Sequence, residues 1–445
     1  MTDSKRVSRR TFVKTAGTAA IASAVLTDSS LARVSAPAKR RYAIVGTGDR
    51  SITMWGKPLL ERYSEQLEFV GLCDINPKRV EVAKKMLGVS CPTFTNFDQM
   101  CDQVKPDLLM VTTVDGFHGN YIVRGLDRRL DVMTEKPMVI DEKQCQAVLD
   151  AEQRNKKKIV VTFNYRYAPK HQKIKEILMS GEIGRVISVD FSWYLDVYHG
   201  ADYFRRWHRL KSKGGSLWVH KASHHFDLIN WWLDADPVEV SARAGLEVYG
   251  RNGAMRATNC RSCPHTANCK FFYDMKKNAT RMELYASCED VDGYYRDGCV
   301  FREDIDIYDT MSAVVKYSSG VHMSYSLNAF MPIEGYRLAF NGEKGRLEVR
   351  DFERQPWPTE RQTEMQLIKS FGQRELIDIA NIAGGHSGGD SRMQDVIFKK
   401  PDVPAHMRLP DSRAGALSCL TGIAARKSVE LKRPIRISEL VKLPT

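Results

Sequence analysis

The run YAIVGTGDR, residues 42–50, and the helix-like SITMWGKPLLERY after it constrain this chain more than any other stretch. A β-rich apolar run meets a turn carrying Gly46 and Gly48, then a helical pattern. Glycines there permit a tight turn and let a pyrophosphate approach the N-terminus of the following helix, whose free N–H groups and dipole favour negative charge. The third glycine of the usual G-x-G-x-x-G is replaced by Ser51, small enough for close helix–strand packing. The next strand, LEFVGLCD, ends in Asp74, 26 residues after Gly48, where an acid meets the adenosine ribose. A carboxylate accepts from the 2′-hydroxyl and repels a 2′-phosphate, so NAD is expected over NADP, although Lys78 and Arg79 stand nearby. The alternation continues through the strand PDLLMVTTV, the helix HGNYIVRGLDRR and the strand LDVMTEKP. Such alternation builds a parallel sheet with helices on both faces.

At 445 residues the chain can hold two domains of ordinary size, and its 43% hydrophobic content is that of a globular protein. The net charge of +13 would suit nucleic acid, but the first 36 residues carry six Lys/Arg against two Asp. The excess that remains forms no dense basic patch interleaved with aromatics, so nucleic acid is not an expected partner. The N-terminus has the three regions of an export signal in order: SRRTFVK, the weakly apolar TAGTAAIASAVL, and small residues around SLARVSA. Arg9-Arg10, followed by Phe12 and Lys14, resembles a twin-arginine signal, with cleavage after Ala32 or Ala36. The expected layout is a signal over 1–36, a Rossmann dinucleotide-binding domain over 40–160 and a substrate and oligomerisation domain over 161–445. The expected destination is the periplasm, reached through the twin-arginine machinery after folding.

The segment TTVDGFHGNYIVRGLDRRLDVMTEKP, the helix DEKQCQAVLDAEQRNKK, the strand VVTFNYRYAP and the stretch GGSLWVHKASHHFDLINWW occur in that order. Together they resemble the glucose–fructose oxidoreductase / inositol dehydrogenase / MocA (Gfo/Idh/MocA) family over roughly residues 40 to 235. The fold this implies is α/β: an N-terminal Rossmann NAD-binding domain plus a C-terminal α/β domain with an open, mostly antiparallel sheet. It also implies a sugar or glycoside substrate, hydride transfer to nicotinamide and a homodimer or homotetramer. Thr113, His118, Glu135 and Lys136 then join Gly46, Gly48, Ser51, Asp74 and Arg79 at the cofactor. Lys136 falls beside the reacting hydroxyl, at the carboxyl edge of a parallel strand.

In the resembled family the glycine-led helix carries an aspartate four residues before a histidine. Here His224 falls on that histidine and His220 stands where the aspartate is expected. At i and i+4 the two imidazoles would share one helical face and reach one substrate. His225 turns about 100° away and reads as structural, with Asp227 a hydrogen-bonding residue. An H-x3-H pair is also good zinc geometry, with His118, His199, His208 or His386 as a third ligand. Asn164, Tyr165 and Arg166 are expected to face the sugar, and His386 lies with Asp390 in the glycine-rich loop GGHSGGD.

Five of the ten cysteines fall in an insert at about 255–300: Cys260, Cys263 and Cys269 in C-x2-C-x5-C spacing, then Cys288 and Cys299. Tight C-x2-C spacing suits a structural zinc, held by Cys260, Cys263, Cys269 and Cys299. Export favours disulfides instead, and free thiols are a third reading. The expected chemistry is proton abstraction by His220 or His224, with Lys136 stabilising the developing oxyanion. An exported enzyme has no NAD pool to exchange with, so its cofactor is expected to be tightly held and recycled. One alternative is a redox-neutral NAD-dependent glycosidase that oxidises, eliminates, hydrates and reduces. Another is a non-catalytic sugar-binding protein.

Overall fold

The computed structural model describes residues 38–379 and 384–443. The twin-arginine segment lies outside them. The first sheet contains β1 (Arg40–Val45), β2 (Leu67–Cys73), β3 (Thr93–Phe94), β4 (Leu108–Val111), β5 (Asp131–Thr134) and β6 (Ile159–Val161). Its spatial order is β3-β2-β1-β4-β5-β6 and every pairing is parallel. This is the doubly wound order, in which reversal between β1 and β4 opens a crevice at the strands' carboxyl ends. Helices cover both faces, which is why β4 is buried at all four positions instead of alternating. Asn76 starts the helix Pro77–Leu87 by accepting from the N–H groups of Lys78 and Arg79.

The second sheet contains β7 (Val186–Asp196), β8 (Pro237–Gly245), β9 (Thr310–Tyr317), β10 (His322–Met331), β11 (Glu334–Gly342), β12 (Gly345–Arg354), β13 (Thr363–Lys369), β14 (Arg374–Ile377) and β15 (Ile435–Arg436). Its order is β14-β13-β12-β11-β7-β10-β9-β8-β15, antiparallel except where β10 meets β7. Burial alternates along β9 and β10, leaving one face to solvent while the other packs inward. The expected α/β class, a Rossmann domain followed by an open, mostly antiparallel sheet, is the architecture observed.

Two features position the site. The helix Ser412–Leu431 packs against the helix Ala222–Leu233 and β8, and also reaches back to the first sheet. There the Val161 N–H, on the free edge of β6, donates to the Pro410 carbonyl at 3.0 Å. The second feature is the segment 246–309 between β8 and β9, built of short helical turns, which docks on the helix Pro77–Leu87. Its Leu284 and Tyr285 enter the core on one side of the first sheet, beside Trp55, Val80 and Leu87.

Candidate active site

At Gly46 the backbone takes φ +89°, and a Cβ there would lie 2.6 Å from the Thr113 backbone, so only glycine fits. The turn is tied to the acid at the end of β2. Thr47 donates to Asp74 Oδ2 through its N–H at 2.8 Å and its hydroxyl at 3.1 Å, and the Asn76 N–H donates to Oδ1 at 2.9 Å. Arg79 Nη1 lies 3.6 Å from Asp74 Oδ1. Arg79 is only 8% exposed, and its buried Nε finds no acceptor among the described residues. Gly46, Gly48, Asp74, Arg79, Thr113, His118, Glu135 and Lys136 all line one cavity of about 990 Å³. A glycine cradle, a held carboxylate and an unsatisfied guanidinium donor fit a dinucleotide. Ser51 does not line this cavity; it is buried, and its hydroxyl donates to the Gly48 carbonyl at 2.7 Å. Its part is the close packing at the helix start.

The strand-end segment after β5 holds the reactive side. Glu135 accepts from Arg50 Nε and Trp55 Nε1, each at 2.7 Å. His118 spans the Pro137 and Thr113 carbonyls, at 2.8 and 3.0 Å from its two ring nitrogens, and so ties two strand ends together. The Lys136–Pro137 peptide is cis. Lys136 Nζ donates to the His220 carbonyl at 2.9 Å. Burial pushes its pKa down to about 8, with Asp115 and Glu135 resisting and Lys221 and Arg50 adding to the fall.

The histidine stretch forms two helices, not one. Ser216 caps the short helix Leu217–His220, the chain breaks at Lys221, and Ala222–Leu233 follows. His220 and His224 both line the cavity, as a pair expected to reach one substrate should, although they sit on two helices and have different neighbours. His220 Nδ1 lies 2.5 Å from Asp115 Oδ2, the two sharing one proton, and its ring lies 4.0 Å from that of His208. His224 stacks on Tyr165 at 4.3 Å and 13°. Burial holds the pKa of both imidazoles well below the usual range and pushes the Asp115 carboxyl well above its own. His225 is fully buried, stacked on Trp193 at 4.0 Å and bonded to the Tyr325 hydroxyl at 2.7 Å.

Of the residues expected to face a sugar, Tyr165 and His386 line the cavity, while Asn164 and Arg166 do not. Arg166 is turned inward and forms a two-pronged ion pair with buried Asp227, at 2.8 and 2.6 Å. Asn164 turns its Nδ2 to Asp390 and to His386 Nδ1, while its buried Oδ1 has no partner among the described residues.

The metal expectations are corrected as well. Among the described residues no group of three His, Cys, Asp or Glu side chains is placed to hold an ion. Cys260, Cys263, Cys269 and Cys299 border one small hollow as free thiols. Their sulfurs meet donors instead: Arg205 Nη1 lies 3.3 Å from Cys260 Sγ, and the N–H groups of His265 and Phe301 lie 3.4 Å from Cys263 and Cys299 Sγ. No disulfide joins them.

Several lining residues escaped the sequence reading: Asp115, Arg50, Tyr203, Lys221 and Glu334, with Tyr285, Asp292 and Tyr294 from the insert. Asp115 carried a usable signal, since it stands just past the end of β4, on the ligand edge of the sheet.

Comparison with known proteins agrees with this geometry. Residues 40–163 match the family described as "Oxidoreductase family, NAD-binding Rossmann fold", and residues 175–437 match its "C-terminal alpha/beta domain". YteT of Bacillus subtilis (strain 168), named as an oxidoreductase, is 39% identical over 425 residues, which is 91% of this chain and 99% of that protein. Inositol 2-dehydrogenase of Salmonella paratyphi B is 26% identical over 200 residues, 44% of this chain and 55% of that enzyme. In fold, the chain is similar to an oxidoreductase from Agrobacterium radiobacter solved with NAD+ and L-tartaric acid (TM-score 0.62, 13% identity, 91% and 100% of the two chains). A glycine cradle closed by Asp74, Lys136 at the sheet edge and two family matches that together span both sheets lead to one conclusion: the chain belongs to the Gfo/Idh/MocA oxidoreductase family, with an NAD-binding Rossmann fold and a C-terminal α/β domain.

Proposed function

We propose that this protein oxidises a sugar or glycoside hydroxyl and returns the hydride to the carbonyl of a second sugar, using a tightly held and internally recycled NAD. The observation that carries the reading is the convergence of Lys136 and the Asp115–His220 pair on the cavity that the glycine turn opens. NAD, when bound, supplies the hydride acceptor. The chain's own residues manage the proton. The proton that Asp115 and His220 share sits at Nδ1 in this step, which frees Nε2 of the neutral, buried imidazole to take the hydroxyl proton and leaves a carboxylate beside the imidazolium that forms. Lys136, charged below about pH 8, stabilises the oxygen as it gains negative charge. His224 and Tyr165 form an aromatic wall, against which a pyranose ring can stack.

A second reading, the redox-neutral glycosidase, is favoured by a second set of proton-carrying groups in the same cavity. His199 Nδ1 lies 2.8 Å from Glu334 Oε1, and its Nε2 lies 2.9 Å from the Tyr203 hydroxyl. Such a relay suits protonation of a leaving group away from Lys136. Glycosides incubated with the purified protein, without added cofactor, separate the two readings. A keto sugar limited to one equivalent of bound NADH, and turned over once a second sugar is added as acceptor, supports the oxidation; aglycone released with no acceptor and no net NADH supports the glycosidase. Binding of sugar with neither product would sink both and leave a sugar-binding protein. The twin-arginine-like start at Arg9-Arg10 supports export to the periplasm, which a fractionation of cells would test. The family's open sheets support a homodimer or homotetramer, tested by light scattering.

A further inference from the structure

The segment 246–309 reaches the end of the cavity where Asp74 and the glycine turn lie. Tyr285, Asp292, Gly293 and Tyr294 line that end with Gly48, Asp74 and Arg79. The contacts fall on the very elements that form the dinucleotide cradle. The Asp49 N–H, in the glycine turn, donates to the Tyr285 hydroxyl at 2.8 Å. Asn76 donates through Nδ2 to the Cys288 carbonyl at 2.8 Å and to Asp292 Oδ2 at 2.9 Å. Arg79 Nη2 pairs with Asp292 Oδ2 at 2.7 Å, and its guanidinium lies 5.6 Å from the centre of the Tyr285 ring. Outside these, the pairs Lys78–Asp290 and Lys85–Glu283 rivet the segment to the helix Pro77–Leu87.

We propose that this insert is the latch of the cofactor site: it retains the dinucleotide, and Asp292 enforces NAD over NADP. The proposal rests on the NAD reading above. A dinucleotide leaving past the ribose end must part Tyr285 and Asp292 from the glycine turn and from Arg79, so its release is coupled to undocking of the insert. Asp292 also changes what Arg79 can do. An unpaired arginine beside the ribose acid would welcome a 2′-phosphate. Here one guanidinium faces two carboxylates, Asp74 and Asp292, and the local balance repels that phosphate.

The test uses the full chain purified with its own nucleotide. Release is followed by chasing with isotopically labelled NAD, and affinity for NAD and NADP is read from tryptophan fluorescence on stripped protein. Asp292→Asn and Tyr285→Phe, two near-isosteric changes, should each release NAD at least tenfold faster than wild type. Asp292→Asn should also raise NADP affinity relative to NAD by at least tenfold, whereas Tyr285→Phe should leave that ratio unchanged. Thermal unfolding of each variant confirms that the fold is intact. Wild type that holds NAD, with both variants matching its release rate and its NAD/NADP ratio, overturns the latch alone. Wild type that binds neither dinucleotide overturns the cofactor reading and the latch with it.

Discussion

Asp115 and His220 stand 105 positions apart in the sequence and 2.5 Å apart in space. In the proposed reaction this pair, rather than the crowding of histidines, supplies the acid–base centre. Asp115→Asn keeps the shape but presents an amide where the imidazole needs an acceptor. The expected loss is on the order of 100-fold or more in kcat with little change in KM, measured on whichever substrate the glycoside panel yields. The pH profile carries a sign of its own. Lys136 works charged and loses its proton as pH rises through about 8, so kcat/KM should fall above that point. Lys221 contributes to the lowering, so Lys221→Met should move this limb to higher pH; Asp115 resists it, so Asp115→Asn should move the limb lower. A limb that stays in place in both variants would mean that another group sets it. Arg166 makes the contrary case. Arg166→Met leaves the Asp227 carboxylate buried without its partner, and should cost about 3–5 kcal/mol in urea unfolding. KM, measured well below the new midpoint, should not move.

The elements differ in how far their sequences announce them. The Rossmann half was legible because its signals are local: strand, glycine turn, helix and acid occur within 33 residues, from Tyr42 to Asp74. The break between Leu217–His220 and Ala222–Leu233 was not, since residues 217–233 contain neither glycine nor proline. Docking decides it instead. The helix Ser412–Leu431 lies so close that a Cβ on Gly422 would come 2.2 Å from the Trp218 carbonyl, and the Ser418 hydroxyl donates to the Ser223 carbonyl at 2.6 Å. Gly422→Ala must therefore push the histidine stretch. It should lower stability by about 1–3 kcal/mol and kcat more than KM, as unfolding and steady-state rates would register. The insert's place at the cavity was hidden for the same reason. Cysteine spacing is visible in sequence, whereas the link from Asp49 to Tyr285 spans 236 positions and leaves no local trace.

Across the whole molecule, burial governs the response to acid. His118, His171, His208, His220, His224 and His225 are all held below the usual imidazole pKa by burial, His171 to about 3. Below about pH 6.5 the unfolded chain takes up protons there that the folded one refuses, so stability falls as pH falls. Asp115 and Asp227, both raised by burial, work the other way, from their raised folded-state pKa down to the ordinary carboxylate range, so they blunt but do not outnumber the six imidazoles. The expected result is a steep drop in Tm between pH 6.5 and 5, seen by calorimetry; a flat Tm over that interval would contradict it. The reach of the C-terminal segment to β6 has a consequence for how the molecule comes into being. The first sheet is finished by residues 249 positions downstream, because the free edge of β6, at Val161, waits for Pro410 and the helix after it. A nascent chain therefore cannot complete that sheet domain by domain during translation. Chains that stop short of Pro410 should emerge with the edge of β6 open and hold nucleotide less well than the full chain.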